Sequence, residues 1–167
     1  MKTIGITGAG SWGTALATVL AGKGHRVRIW DIDERHLRSM EEHRENVDYL
    51  PGVPLDDNIE ITYTTEAALK DADVVLFSAP AQHFREALTS ALEYIGNAAI
   101  VINVAKGIEQ KSLKRMSEIA AEHLDLDRYV VLSGPSHAEE VGRRLPTTVA
   151  AASYDLKAAE AVQDLFM

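Results

Sequence analysis

Gly8-Ala9-Gly10-Ser11-Trp12-Gly13 follows directly on a short apolar run, Thr3 to Thr7. After it, Trp12, Ala15, Leu16, Val19 and Leu20 recur at i, i+3, i+4, i+7 and i+8. That recurrence is one face of a helix. A G-x-G-x-x-G spacing is weak by itself and acquires meaning in the order strand, glycine turn, helix. In that order Gly8 permits the tight turn, Gly10 lets backbone approach a diphosphate without a Cβ, and Gly13 lets the helix pack close to the strand. The free N–H groups and the positive dipole end of the helix then face the phosphates.

Outward from this turn, apolar runs alternate with helical patterns along the whole chain. Strands are predicted near Thr3–Thr7, Arg26–Trp30, Ile59–Tyr63, Val74–Ser78, Ala99–Val104, Val130–Ser133 and Thr148–Ala152. Helices are predicted near Ser11–Lys23, Asp33–His43, Thr65–Lys70, Phe84–Ile95, Leu113–Leu124, Ser136–Gly142 and Asp155–Phe166. Runs such as Val74-Val75-Leu76-Phe77 and Ile100-Val101-Ile102 are apolar on both faces, as parallel strands covered by helices on both sides are. The expected fold is therefore α/β: a Rossmann-type, doubly wound, mostly parallel sheet with helices on both faces. Its ligand belongs at the carboxyl ends of the strands, near the point where strand order reverses.

Composition narrows the function. The 167 residues suit one domain, and 46% of them are apolar, so disorder is not expected. The net charge of −8 argues against a nucleic-acid backbone or an anionic membrane surface as the main partner. With no cysteine there is no disulfide and no Cys-ligated metal. No metal site of any kind is expected. No run approaches the roughly 18 apolar residues of a membrane span, and no signal peptide is read at the N-terminus. A soluble, cytoplasmic protein is expected. Glu45–Asn58, with Pro51, Gly52 and Pro54, lacks periodicity and reads as a long loop of the kind that often carries function. The last helix stops on Leu165-Phe166-Met167 without a polar tail, which reads as a domain (residues 1–167) cut short at its C-terminus and exposing an apolar edge.

Three strand ends carry candidate chemistry. Asp31 ends the second strand, 21 residues past Gly10. A carboxylate there accepts hydrogen bonds from ribose hydroxyls and repels a 2′-phosphate, which favours NAD over NADP. Asp33 is the better helix cap, leaving Asp31 for the ribose, while Arg35 and Arg38 nearby are able to attract a 2′-phosphate. The fifth strand runs into Lys106-Gly107. That ammonium either holds a phosphate and polarises a ligand oxygen, or is a solvated turn lysine. The sixth runs into Ser133-Gly134-Pro135-Ser136-His137-Ala138-Glu139, where Ser136 and Glu139 have capping-box spacing and mark a helix N-terminus. His137 is a candidate proton carrier, though a lone histidine in a first turn is more often a surface residue.

Taken together these segments resemble a known family. Ile6-Thr-Gly-Ala-Gly-Ser-Trp-Gly-Thr-Ala-Leu-Ala17, Tyr49-Leu-Pro-Gly52, Ala105-Lys-Gly107 and Ser133-Gly-Pro-Ser-His-Ala138 resemble, in order, the bacterial NAD(P)-dependent glycerol-3-phosphate dehydrogenases. The resemblance runs from about Thr3 to Ala152. It implies hydride transfer between sn-glycerol 3-phosphate and dihydroxyacetone phosphate, feeding glycerophospholipid synthesis. It implies cofactor contacts at Gly8, Gly10, Ser11, Trp12, Gly13, Asp31, Ile32, Tyr49, Lys106 and Ala138, and substrate contacts at Lys106, Gly134 and Ser136. Position 32 is usually basic or polar in the family and helps bind a 2′-phosphate; Ile32 here favours NAD over NADP. Tyr49 either borders the adenosine side or anchors the long loop.

The resemblance also implies what this stretch does not carry. Family members continue into a helical domain that holds the proton-acceptor lysine, the asparagine and arginine that grip the substrate phosphate, and the dimer contacts expected of a homodimer. No catalytic base is expected within residues 1–167, which are expected to be inactive alone. Two other readings share the domain plan: the cofactor domain of a β-hydroxyacid or 6-phosphogluconate-type dehydrogenase, and a non-catalytic nucleotide-sensing module.

Overall fold

The computed structural model describes residues 1–167. Seven strands form one sheet in the order β3-β2-β1-β4-β5-β6-β7. The strands are β1 (Thr3–Thr7), β2 (Arg26–Trp30), β3 (Ile59–Ile61), β4 (Val74–Phe77), β5 (Ile100–Asn103), β6 (Tyr129–Ser133) and β7 (Ala150–Ser153). All neighbouring pairs are parallel except β6–β7, where Ser133 faces Ala150 and Val130 faces Ser153 in antiparallel register. The order reverses between β1 and β4. This is the doubly wound arrangement expected from the alternating pattern, with its ligand crevice at that reversal.

The helices are α1 (Ser11–Gly22), α2 (Glu34–His43), α3 (Thr65–Leu69), α4 (Phe84–Ala91), α5 (Met116–Ala120), α6 (Ala138–Gly142) and α7 (Leu156–Phe166). They cover both faces because each central strand sends alternate apolar side chains to each side. Ile4, Ile6, Val74, Leu76, Ile102, Val130 and Leu132 pack with Leu16 and Leu20 of α1, Leu37 and Met40 of α2, and Val162 and Leu165 of α7. Val75, Phe77, Val101 and Tyr129 pack on the other face with Leu69, Phe84, Leu88, Met116 and Ile119. Burying each such side chain contributes on the order of 1.5–3 kcal/mol. A smaller cluster of Ala15, Leu50, Val53, Ala138 and Val141 fastens the Glu45–Asn58 segment to α1 and α6. No helix is long and apolar enough to cross a membrane.

Several predictions differ from what is observed. Leu113–Leu124 is helical only from Met116 to Ala120: Leu113 has φ +58° and Arg115 is extended, pairing with Ile108 in an isolated bridge. The predicted helix to Ile95 changes to a tighter 3-10 turn at Leu92–Tyr94, ahead of Gly96. The last strand lies two residues later at its start and is the antiparallel edge. Leu165, expected at an exposed apolar edge, is buried; Met167 beside it is 79% exposed.

Candidate functional site

The glycine turn is built as its spacing requires. Gly8 has φ +96°, and a Cβ there would come within 2.9 Å of the Ser78 carbonyl group on the adjoining β4 end. A Cβ on Gly13 would lie 2.0 Å from the Gly8 carbonyl oxygen, so α1 reaches its position against the turn only without one. At Gly10 a Cβ would meet nothing within 4 Å. That glycine leaves open space above the turn and is not required by packing inside the chain. Gly10 is the N-cap of α1, makes no side-chain cap bond, and no acidic side chain lies in the first turn. The amino end of this twelve-residue helix thus keeps its donors for an anion.

Asp31 sits under the turn. Its Oδ2 accepts the Ala9 N–H at 2.7 Å and its Oδ1 accepts the Asp33 N–H at 3.1 Å. Asp33 takes the cap of α2, accepting from Arg35 N and His36 N, as its position predicts. Each Asp31 oxygen keeps a lone pair for a further donor. Ile32 is 87% exposed beside it, and Tyr49 is exposed with its ring edge-on to His36 at 4.9 Å.

Across the sheet reversal, Ser11 and Trp12 of α1, Ser78 to Pro80 after β4, Lys106 after β5, and Ser136 to Glu139 before and in α6 line one cleft of about 500 Å³. The structure therefore brings Ser11, Trp12, Lys106, Ser136 and Ala138 together. It places Asp31, Ile32 and Tyr49 outside this cleft, around the β2 end of the same crevice. Lys106 is exposed, but its Nζ donates to the Gly134 carbonyl oxygen at 3.0 Å, so it is not a freely solvated turn residue. Gly134 has a packing reason as well: a Cβ there would lie 2.5 Å from the Thr148 carbonyl oxygen.

Ser136 does not cap α6 as its spacing from Glu139 predicts. The N-cap of α6 is His137, which makes no side-chain cap bond, and the helix begins at Ala138. The capping box with Glu139 does not form. The Ser136 Oγ is instead buried without a hydrogen-bond partner on the wall of the cleft. A buried hydroxyl without a partner costs about 1–3 kcal/mol. A phosphate ester or a nicotinamide amide in the cleft would satisfy it, so the residues present fit a dinucleotide with a small polar substrate. His137 is exposed at the cap position.

The lysine-bearing turn is held from outside. Asn103, fully buried, accepts the Ala105 N–H at 3.1 Å. The Gln82 amide donates to the Ile108 carbonyl and accepts the Gln110 N–H, both at 2.9 Å. Arg85 of α4 bridges Glu109, at 2.8 Å, and Glu122, which also accepts from Lys114 at 2.6 Å. These cations hold Glu122 well below the usual carboxylate range, at about 2, and Arg85 together with the Ser112 hydroxyl lowers Glu109 too. Gln82, Arg85 and Glu109 carry no sequence signal: the contacts Gln82–Ile108 and Arg85–Glu109 join polar residues to positions 24 or more away.

A G-x-G-x-x-G turn at the reversal point of a 3-2-1-4-5-6 sheet, an anchored lysine and an unpaired buried hydroxyl define a dehydrogenase-type dinucleotide-binding domain. Residues 3–159 match the family described as NAD-dependent glycerol-3-phosphate dehydrogenase N-terminus. The chain belongs to that family. It is 50% identical over 167 residues to the glycerol-3-phosphate dehydrogenase [NAD(P)+] of Pelotomaculum thermopropionicum, covering 98% of this chain and 48% of that protein. It is 51% identical over 171 residues to the enzyme of the same description from Bacillus velezensis, covering all of this chain and 49% of that one. The crystal structure of glycerol-3-phosphate dehydrogenase from Coxiella burnetii superposes with a TM-score of 0.92 at 32% identity, covering 99% of this chain and 51% of that one. The chain spans about half the length of the curated relatives it matches.

Proposed function

We propose that this chain is the dinucleotide-binding half of an NAD(P)-dependent dehydrogenase that interconverts sn-glycerol 3-phosphate and dihydroxyacetone phosphate, in the cytoplasm and as a homodimer at full length. The reading rests on the single cleft shared by Ser11, Lys106 and Ser136. Gly8, Gly10, Ser11, Trp12 and Gly13 form the diphosphate turn, Asp31 receives a ribose, Tyr49 borders the adenosine side, and Ala138 touches the cofactor. When bound, the dinucleotide supplies a nicotinamide that gives or takes the hydride.

Oxidation of the alcohol removes a proton from its hydroxyl and a hydride from C2, and the oxygen carries negative charge from the departure of the proton until the hydride has been transferred. An ammonium has three N–H donors, and the bond to Gly134 uses one of those on Lys106. The others point their charge at the substrate oxygen and stabilise it as it develops. The Ser136 hydroxyl gains in the substrate the partner that the chain withholds, which orients the substrate beside Lys106. The proton acceptor is assigned to the other half of the family's length.

NAD is proposed as the preferred form. Ile32 offers no donor to a 2′-phosphate, and Asp31 and Asp33 flank it. The two nearby cations are engaged: Arg38 with Glu34 at 3.0 Å, and Arg35 beside Asp33 at 3.7 Å.

Calorimetric titration of NADH and NADPH, with steady-state NAD reduction by sn-glycerol 3-phosphate, tests the proposal on the 167-residue chain and on the full-length gene product. Dinucleotide binding by both, with turnover by the longer protein alone, is the expected result. Failure of both to bind either dinucleotide would overturn it, as would full turnover by the short chain.

A further inference from the structure

The carbonyl oxygen of Ala9, inside the glycine turn, accepts from three side chains. Asn46 Nδ2 lies at 2.8 Å, His36 Nε2 at 3.0 Å and Thr14 Oγ1 at 3.3 Å. Asn46 is fully buried and His36 is 6% exposed. The orientation of the Asn46 amide is set by its partners: Oδ1 accepts the Tyr49 N–H at 3.0 Å, and the second Nδ2 proton goes to Thr14 Oγ1 at 2.8 Å. Every hydrogen bond of this buried amide is thus spent on the turn, on α1 or on its own loop.

The Ala9 carbonyl and the Gly10 N–H belong to one peptide unit. That unit is planar and trans, and the chain has no cis peptide, so the two bonds point in opposite directions. Drawing the oxygen inward turns the Gly10 N–H the opposite way, and that N–H donates to no backbone acceptor of the chain. The preceding peptide is fixed in the same way by Asp31, which takes the Ala9 N–H. The turn is therefore oriented from beneath by residues up to 37 positions away.

We propose that Asn46, seconded by His36, is a positioning residue for the cofactor: it holds the Ala9–Gly10 peptide with its N–H aimed at the diphosphate. This rests on the dinucleotide reading above. It also gives the Glu45–Asn58 loop a role, since Leu50 and Val53 pack that loop onto α1 and α6 and so keep Asn46 in place. An oriented dipole costs no reorganisation when the anion arrives, which is where the affinity originates.

The experiment uses the full-length gene product labelled with ¹⁵N-glycine, with NADH, ADP and adenosine as probes. In the unmodified protein, ADP and NADH shift the Gly10 amide resonance downfield, and adenosine, which lacks phosphates, leaves it in place. Asn46→Asp keeps the size and the Tyr49 bond but sets oxygen against oxygen at Ala9. It moves the Gly10 amide in the free protein and weakens both ADP and NADH by roughly tenfold. KM for the dinucleotide rises, while kcat at saturation stays within about twofold. His36→Gln, which retains a donor, gives a smaller effect. Binding of ADP without movement of the Gly10 amide overturns the proposal even if Asn46→Asp fails to fold. So does an Asn46→Asp protein of lower melting temperature that binds ADP unchanged, since that marks a merely structural role. Failure of the unmodified protein to bind NADH, NADPH or ADP defeats the dinucleotide reading itself, and this inference with it.

Discussion

The Lys106 ammonium donates to the carbonyl oxygen of Gly134 at 3.0 Å, tying the carboxyl end of β5 to that of β6 across the mouth of the cleft. One bond thus fixes the charge without burying it. Lys106→Ala removes an exposed side chain, so unfolding free energy should change by no more than about 0.5 kcal/mol. Turnover by the full-length enzyme should fall on the order of 10²–10³-fold in kcat/KM, as loss of one preorganised donor to a developing oxyanion does. Steady-state kinetics beside thermal unfolding reads both; an active Lys106→Ala enzyme would remove the lysine from the mechanism.

Ser136→Ala should also separate binding from stability. The hydroxyl is buried and unpaired, so its loss should leave the melting temperature unchanged or slightly higher. KM for glycerol 3-phosphate should rise by roughly 10- to 100-fold, since a hydrogen bond to a charged group contributes about 1.5–3 kcal/mol. A lower melting temperature with an unchanged KM would mark Ser136 as structural.

Ile32→Arg should shift the balance between cofactors. It places a guanidinium beside the ribose position, and Asp31→Ser with it removes the repelling carboxylate. The NADPH-to-NADH affinity ratio should rise by roughly tenfold or more for the pair, measured by fluorescence titration. An unchanged ratio would place the 2′-position elsewhere.

Gly13→Ala should be destabilising far beyond its helix propensity, which alone favours alanine by about 1 kcal/mol. The new Cβ meets the Gly8 carbonyl oxygen at 2.0 Å, and backbone cannot swing aside as a side chain does. A loss of roughly 1–3 kcal/mol in chemical denaturation is expected, with weakened dinucleotide binding.

The acid limb of stability should report the Arg85 cluster. Glu122 titrates at about 2 in the folded chain against an ordinary 4.5, lowered first by Arg85 and then by Lys114. Between those values the unfolded chain binds more protons than the folded one. The stabilisation is complete above about pH 4.5 and is lost as pH falls toward 2. Glu122→Gln should lower the melting temperature at pH 7 and flatten its decline between pH 4.5 and 3; parallel curves for the two proteins would show that the cluster is energetically silent.

Local signals carry the fold and one half of the site. Strand alternation, the glycine spacing and the Asp33 cap depend on neighbours a few residues apart, and the structure follows them closely. Where short-range logic competes with a distant contact, it fails. Ser136-x-x-Glu139 has the letters of a capping box, but the chain enters α6 one residue later and frees the hydroxyl. Leu113 to Arg115 has a helical pattern, but Ile108 pairs with Arg115 and pulls the segment extended. Asn46 lies in the loop marked as functional, yet an asparagine among Glu45, Val47 and Asp48 looks like ordinary turn chemistry. Its partners at Ala9 and Thr14 appear only once the sheet has formed.

The threefold acceptance at the Ala9 oxygen has a consequence for how such sequences drift. Positions 14, 36 and 46 answer to a single atom, so a replacement at one changes what the other two tolerate. Their histories should be entangled: among divergent descendants, a lost donor at one of them should be met by a gained donor at another, and substitutions tried singly in the laboratory should combine non-additively.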